Sequence, residues 1–195
     1  MGGPRLSTVV SSDGTTIAFD RSGEGPPTIL IGDASQGRSD PKLVHLAALL
    51  ARERTVLTYD RRDSGDRAGG SPNALEREID DLEALIDAAG GSASLFGMSS
   101  GAVIALRAAA HGLEIETLAL YEPPFMFDGA LPAERIPFIS VPTVVIVGER
   151  CDPRIRRAAR ALWAVLPDVQ HRTLEGQADD VDPEALAPML ERLPL

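Results

Sequence analysis

The chain has 195 residues, 44% of them hydrophobic and 25% charged, which suits one domain with a core of its own. Its formal net charge of −10 repels phosphate backbones and argues against nucleic acid as a partner. No apolar run approaches the roughly 20 residues needed to cross a bilayer. The N-terminus lacks a secretory pattern, and the single Cys151 allows no internal disulfide, so a cytoplasmic protein without membrane contact is expected.

Residues 7–12 and 15–20 flank Asp13-Gly14, a two-residue hairpin signal. Residues 28–31 form a short apolar run without alternation, the pattern of a strand buried on both faces of a parallel sheet. Residues 55–59, 93–96, 117–121 and 143–147 repeat that pattern, and 170–174 form the last strand. Between them lie helical patterns. Residues 43–51 form one. The clearest spans 74–89, with Leu75, Ile79, Leu82 and Ile86 on one face. Asn73 with Glu76 resembles a capping box at its start, and Gly90-Gly91 stops it. Further helices are predicted over 102–110, 155–166 and 183–193. Such alternation predicts an α/β fold: a doubly wound, mostly parallel sheet with flanking helices. No repeat, linker or low-complexity tract divides it, so residues 1–195 form a single domain.

Between the 93–96 strand and the helix after it lies Gly97-Met98-Ser99-Ser100-Gly101. Strand, sharp turn and helix are the context that a Gly-x-Ser-x-Gly nucleophile elbow requires. A serine on such a turn takes a strained backbone, and small neighbours let strand and helix approach. The turn presents Ser99 at the carboxyl end of the sheet, where open α/β folds bind ligands. The Ser100 amide, at the start of the helix, is placed to donate to an oxyanion. The competing reading is a Gly/Ser turn that only joins two elements.

The resemblance extends beyond the elbow. Leu57-Thr58-Tyr59-Asp60-Arg61-Arg62, Glu76-Arg77-Glu78-Ile79, Leu118-Ala119-Leu120-Tyr121-Glu122-Pro123-Pro124-Phe125 and the segment from Val141 to Gly148 resemble bacterial α/β hydrolases along nearly the whole chain. The resemblance implies a Ser-His-Asp triad in the order serine, acid, histidine. Carried over, Ser99 matches the nucleophile and Asp152 the acid. The backbone amides of Ala34 and Ser100 match the oxyanion hole.

Three departures stand out. Where relatives carry the triad histidine, after the last strand, this chain has Asp179. His45, His111 and His171 lie elsewhere and are expected to have surface or packing roles. Relatives insert a helical cap between Phe125 and Val141, whereas here residues 126–140 are too few for one. Phe125, Phe127 and Phe138 in or beside that segment, with Met98, line a substrate pocket, plug the sheet edge or meet a second copy in a homodimer. Met98 itself replaces a frequent histidine.

Serine without a base is a weak nucleophile. Asp179 is the candidate replacement, its carboxylate expected to approach Asp152 so that one pKa rises and the other falls. A thiol, with a pKa of about 8.5, leaves without an acid catalyst. The site therefore matches an acyl thioester, giving an acyltransferase or thioesterase in natural-product biosynthesis. Its substrate is a small acyl group, free or borne by an acyl carrier protein or peptide. Arg150, Arg154, Arg156, Arg157 and Arg160 would dock an acidic carrier, or form an ordinary solvated face. The alternatives are a non-hydrolytic cyclase, isomerase or lyase using the carboxylates, and a catalytically degenerate binding homologue. No metal-ligand spacing or cofactor motif is present, so neither metal nor cofactor is expected.

Overall fold

The computed structural model describes residues 3–62, 74–124 and 136–192. Asn73, Phe125, Phe127 and most of the 126–140 segment lie outside them.

The chain opens with a hairpin, β1 (Arg5–Val10) and β2 (Thr16–Ser22), around the Asp13-Gly14 turn. The remaining strands are β3 (Pro27–Ile31), β4 (Thr55–Tyr59), β5 (Ala93–Met98), β6 (Ile115–Tyr121), β7 (Thr143–Gly148) and β8 (Val169–Leu174). They form one sheet in the order β1-β2-β4-β3-β5-β6-β7-β8. β2 runs antiparallel to β4, and every neighbour from β4 to β8 is parallel.

The helices are α1 (Pro41–Leu50), α2 (Ala74–Ala89), α3 (Ser100–His111), α4 (Pro153–Val165) and α5 (Pro183–Glu191). Successive strand residues feed opposite cores. Ile29 and Ile31 join the core that includes Leu82 of α2, Ala105 of α3 and Leu162 of α4. Leu30 joins the other, with Leu46 of α1 and Leu186 of α5. β6 and β7 divide in the same way, Leu120 and Val145 against Tyr121 and Ile146. This two-sided burial is why these strands read as unbroken apolar runs.

Three helices start alike. Asp40-Pro41, Asp152-Pro153 and Asp182-Pro183 each place an aspartate at the cap, accepting from backbone N–H groups, and a proline in the first turn. The pattern begins α1 and α4 two residues earlier than the hydrophobic periodicity indicates. No helix among the described residues is long and apolar enough to cross a membrane.

Candidate active site

β5 ends at Met98 and α3 begins at Ser100, so Ser99 alone makes the turn. Its φ and ψ of 49° and −116° are strained for an L residue. The surroundings enforce them. Ser99 N–H donates to the Tyr121 carbonyl at 2.9 Å, tying the turn to the end of β6. A Cβ at Gly97 would lie 2.5 Å from the Gly101 carbonyl oxygen, and one at Gly101 would lie 2.2 Å from that of Ile31. Only glycine permits the approach.

Among the described residues, the other non-glycine with a left-handed φ is Glu122, at 46°, just after β6. Both strained residues line one cavity of about 300 Å3, together with Asp33, Met98, Tyr121 and Asp179. It lies at the carboxyl ends of β3, β5 and β6, where a parallel sheet leaves a crevice.

Asp179 reaches the cavity because its loop is fastened to the strand ends. Tyr121 Oη donates to the Ala178 carbonyl at 2.7 Å. Arg150 N–H donates to the Gln177 carbonyl at 2.9 Å. A Cβ at Gly148 would lie 2.4 Å from that same carbonyl oxygen, so β7 accepts the loop only with glycine there.

The carboxyl beside Asp179 is Glu122. Both side chains line the cavity, and Glu122 Oε1 accepts from the Gly148 amide at 2.9 Å. Burial raises the Glu122 carboxyl above its ordinary value, and the neighbouring Asp179 adds to the rise.

Asp152 does not meet the expectation of a carboxylate behind Asp179. It caps α4, accepting from the Arg154 amide at 2.7 Å and pairing with the Arg154 guanidinium at 2.9 Å. Those contacts hold its carboxyl below the ordinary value. It does not line the cavity. The physical reason is the Asp-Pro helix start, which turns the side chain back onto its own helix.

The oxyanion amides also differ from expectation. Ala34 N–H donates to Ser100 Oγ at 2.9 Å rather than into the cavity. The Ser100 hydroxyl accepts from Arg61 Nη1 at 2.9 Å as well, and donates toward Asp33 Oδ2 at 3.4 Å. One hydroxyl donor and two acceptor positions are thereby filled. Arg61 is itself buried, forming two 3.0 Å hydrogen bonds to Glu78 and one of 3.1 Å to the Gly32 carbonyl.

Asp33 was not anticipated as a site residue. Burial alone would raise its carboxyl. Hydrogen bonds from Ser35, the Ser99 hydroxyl and the Ser100 amide instead bring it below the ordinary value. It is therefore held as a carboxylate in the cavity that Ser99 also lines.

The histidines lie elsewhere. His45 Nε2 is 3.1 Å from Glu184, His111 Nδ1 is 2.9 Å from the Arg107 carbonyl, and His171 stacks on Trp163. None lines the cavity. Met98 does, whereas Phe138 is 82% exposed and outside it. Phe138 sits in a short 3-10 turn, Ile136–Phe138, that turns its ring to solvent.

The alpha/beta hydrolase family model matches residues 35–193. The chain belongs to the alpha/beta hydrolase family. An alpha/beta hydrolase from Sphaerobacter thermophilus DSM 20745 is 36% identical, with 94% of this chain and 98% of that one covered at a TM-score of 0.85. An esterase from Rhodococcus sp. ECU1013 is 15% identical over 95% of this chain and 97% of its own, with a TM-score of 0.79. A serine hydrolase from Cycloclasticus zankles is 12% identical over 97% of each chain, at 0.80. No curated protein matches. The chain is thus an enzyme of the hydrolase type on the fold that its sequence predicts.

The pair of carboxyls gives this hydrolase a defined pH response. Folding raises the Glu122 pKa above its unfolded value of about 4.3. The group's contribution to stability is therefore full below that value and is lost as pH rises through the folded pKa. Glu122→Gln keeps an acceptor for the Gly148 amide and gains a permanent donor to Asp179. Its unfolding free energy, from urea titration, should fall less than the parent's between acid and neutral pH. Parallel pH dependences in the two proteins would show that Glu122 is not raised.

Proposed function

We propose that this hydrolase transfers acyl groups from thioesters through acyl-Ser99, with the Asp179–Glu122 pair taking up the serine proton. The observation carrying this reading is the strained Ser99 turn, which opens onto a cavity lined by both of those carboxyls. Ser99 Oγ attacks the thioester carbon as its proton passes to Asp179. The C–S bond breaks and the thiolate departs without an acid catalyst. Asp179 then releases its proton to solvent, where the thiolate is protonated. Water or an acceptor hydroxyl next attacks the acyl-serine, giving its proton to the regenerated Asp179 carboxylate, which passes it to Ser99 Oγ as the acyl–oxygen bond breaks.

The arginines Arg150, Arg154, Arg156, Arg157 and Arg160 are carried over as the docking face for an acidic carrier. Arg154 is the weakest contributor, since Asp152 already neutralises it.

A second reading has its own support. The Asp33 carboxylate beside Ser99 opposes a developing oxyanion and suits acid–base chemistry without an acyl-enzyme, as in a cyclase, isomerase or lyase. One experiment separates the two. Under acyl transfer, a fluorophosphonate probe labels the parent, and Ser99→Ala loses both labelling and thioester turnover. Retained turnover in Ser99→Ala selects the second reading.

A further inference from the structure

Tyr121 grips the nucleophile turn with its main chain and the Asp179 loop with its side chain. Its backbone lies in the middle of the sheet, paired with Met98 of β5 on one side and Ile146 of β7 on the other. Its carbonyl accepts from Ser99 N–H at 2.9 Å. Its side chain, 1% exposed, belongs to the core that α1 and α5 cover. From there the hydroxyl donates to the Ala178 carbonyl at 2.7 Å. That carbonyl is part of the planar peptide unit that carries the Asp179 nitrogen.

The loop has other ties, but they lie to either side. Gly176 N–H donates to Glu149 Oε2 at 2.9 Å, and the Gln177 carbonyl accepts from Arg150 N–H at 2.9 Å. Asp180 pairs with Lys42 in an exposed contact, which holds little. Among the described residues, the Tyr121 hydroxyl is the one hydrogen bond to the main chain of residues 178–179. Ser99, Tyr121 and Asp179 all line the cavity.

We propose that Tyr121 is a positioning residue for acyl transfer: one buried side chain, rooted in the strand end that holds Ser99, fixes Asp179 where it can take the serine proton. This role rests on the acyl-transfer reading and adds what places its proton acceptor. Proton transfer requires hydrogen-bond reach, and a misplacement of about 1 Å can cost roughly 10² in rate. A phenol donor on a rigid ring limits that error better than exposed loop contacts do.

The test uses the N-acetylcysteamine thioester of butanoate. Tyr121→Phe keeps the ring and the main-chain bond to Ser99 and removes the donor to Ala178. Single-turnover acylation should slow about tenfold, the factor for losing one hydrogen bond to a part-buried acceptor, with the half-saturating concentration unchanged. Asp179→Asn should be slower still, and adding Tyr121→Phe to it should cost nothing further, because residues that act through one another are not additive. A parent-like rate in Tyr121→Phe overturns the proposal. So does the same loss in both backgrounds, which would mean that Tyr121 does not act through Asp179.

A second readout is independent of turnover. Hydrogen–deuterium exchange at residues 176–180 should quicken about tenfold in Tyr121→Phe, while residues 97–102 stay as protected as in the parent. Faster exchange at 176–180 together with parent-like acylation in Asp179→Asn would refute Asp179 as the acceptor yet uphold the Tyr121 tie. Unchanged exchange overturns the tie whatever the rates.

Discussion

Arg61→Met should lower the unfolding free energy by about 3–5 kcal/mol, the usual result of removing one partner from a buried ion pair. Arg61 and Glu78 are 7% and 5% exposed at their side chains. Without the guanidinium, the buried Glu78 carboxylate loses two 3.0 Å hydrogen bonds, and the Gly32 carbonyl loses a donor. The same change frees Ser100 Oγ on one side, so the Ala34 and Asp33 segment is less firmly placed. Urea denaturation measures the first effect. A loss below about 1 kcal/mol, the level of an exposed pair, would contradict it. Arg61→Met with Glu78→Leu removes both charges and should recover much of the stability without restoring the Ser100 contact.

Asp179→Asn should slow acylation by about 10²–10⁴, the range for a positioned proton acceptor, while leaving substrate binding intact. The amide keeps the shape of the carboxylate and its neighbour Glu122 but is not basic. Single-turnover kinetics separate the two effects. Acylation as fast as in the parent would remove Asp179 from the proton path. Asp179→His is the converse test. It restores the residue type that resembling hydrolases carry, with Glu122 lining the same cavity as the carboxylate to orient the ring. Ester hydrolysis should rise, because an imidazolium protonates the poorer alcohol leaving group. No rise would mean that the Glu122 geometry does not support a triad.

The sheet was legible because burial on both faces writes each strand as an apolar run, as in residues 28–31 and 143–147. Ser99 was legible for a steric reason, since the close approaches at Gly97 and Gly101 admit no side chain. Asp152 was misplaced although the sequence held the correction. Asp-Pro stands before three helices, and Asp40 and Asp182 show what it does there. Glu122 and Asp33 escaped because each is a single charge directly or closely following an apolar strand. The usable signal was position: the carboxyl ends of β3 and β6 flank β5, so charges there face the serine. What the sequence cannot convey is the hydrogen-bond order around Ser100 Oγ, which depends on three segments meeting at one hydroxyl.

The central claim is that Ser99 becomes covalently acylated. Rapid acid quench of the protein with an acyl thioester, followed by intact-mass and peptide analysis, measures it directly. The account predicts a mass gain equal to the acyl group, located on Ser99, that forms before free acid accumulates and is absent in Ser99→Ala. Consumption of the thioester with no acyl adduct at any time, and at the same rate in Ser99→Ala, would contradict it.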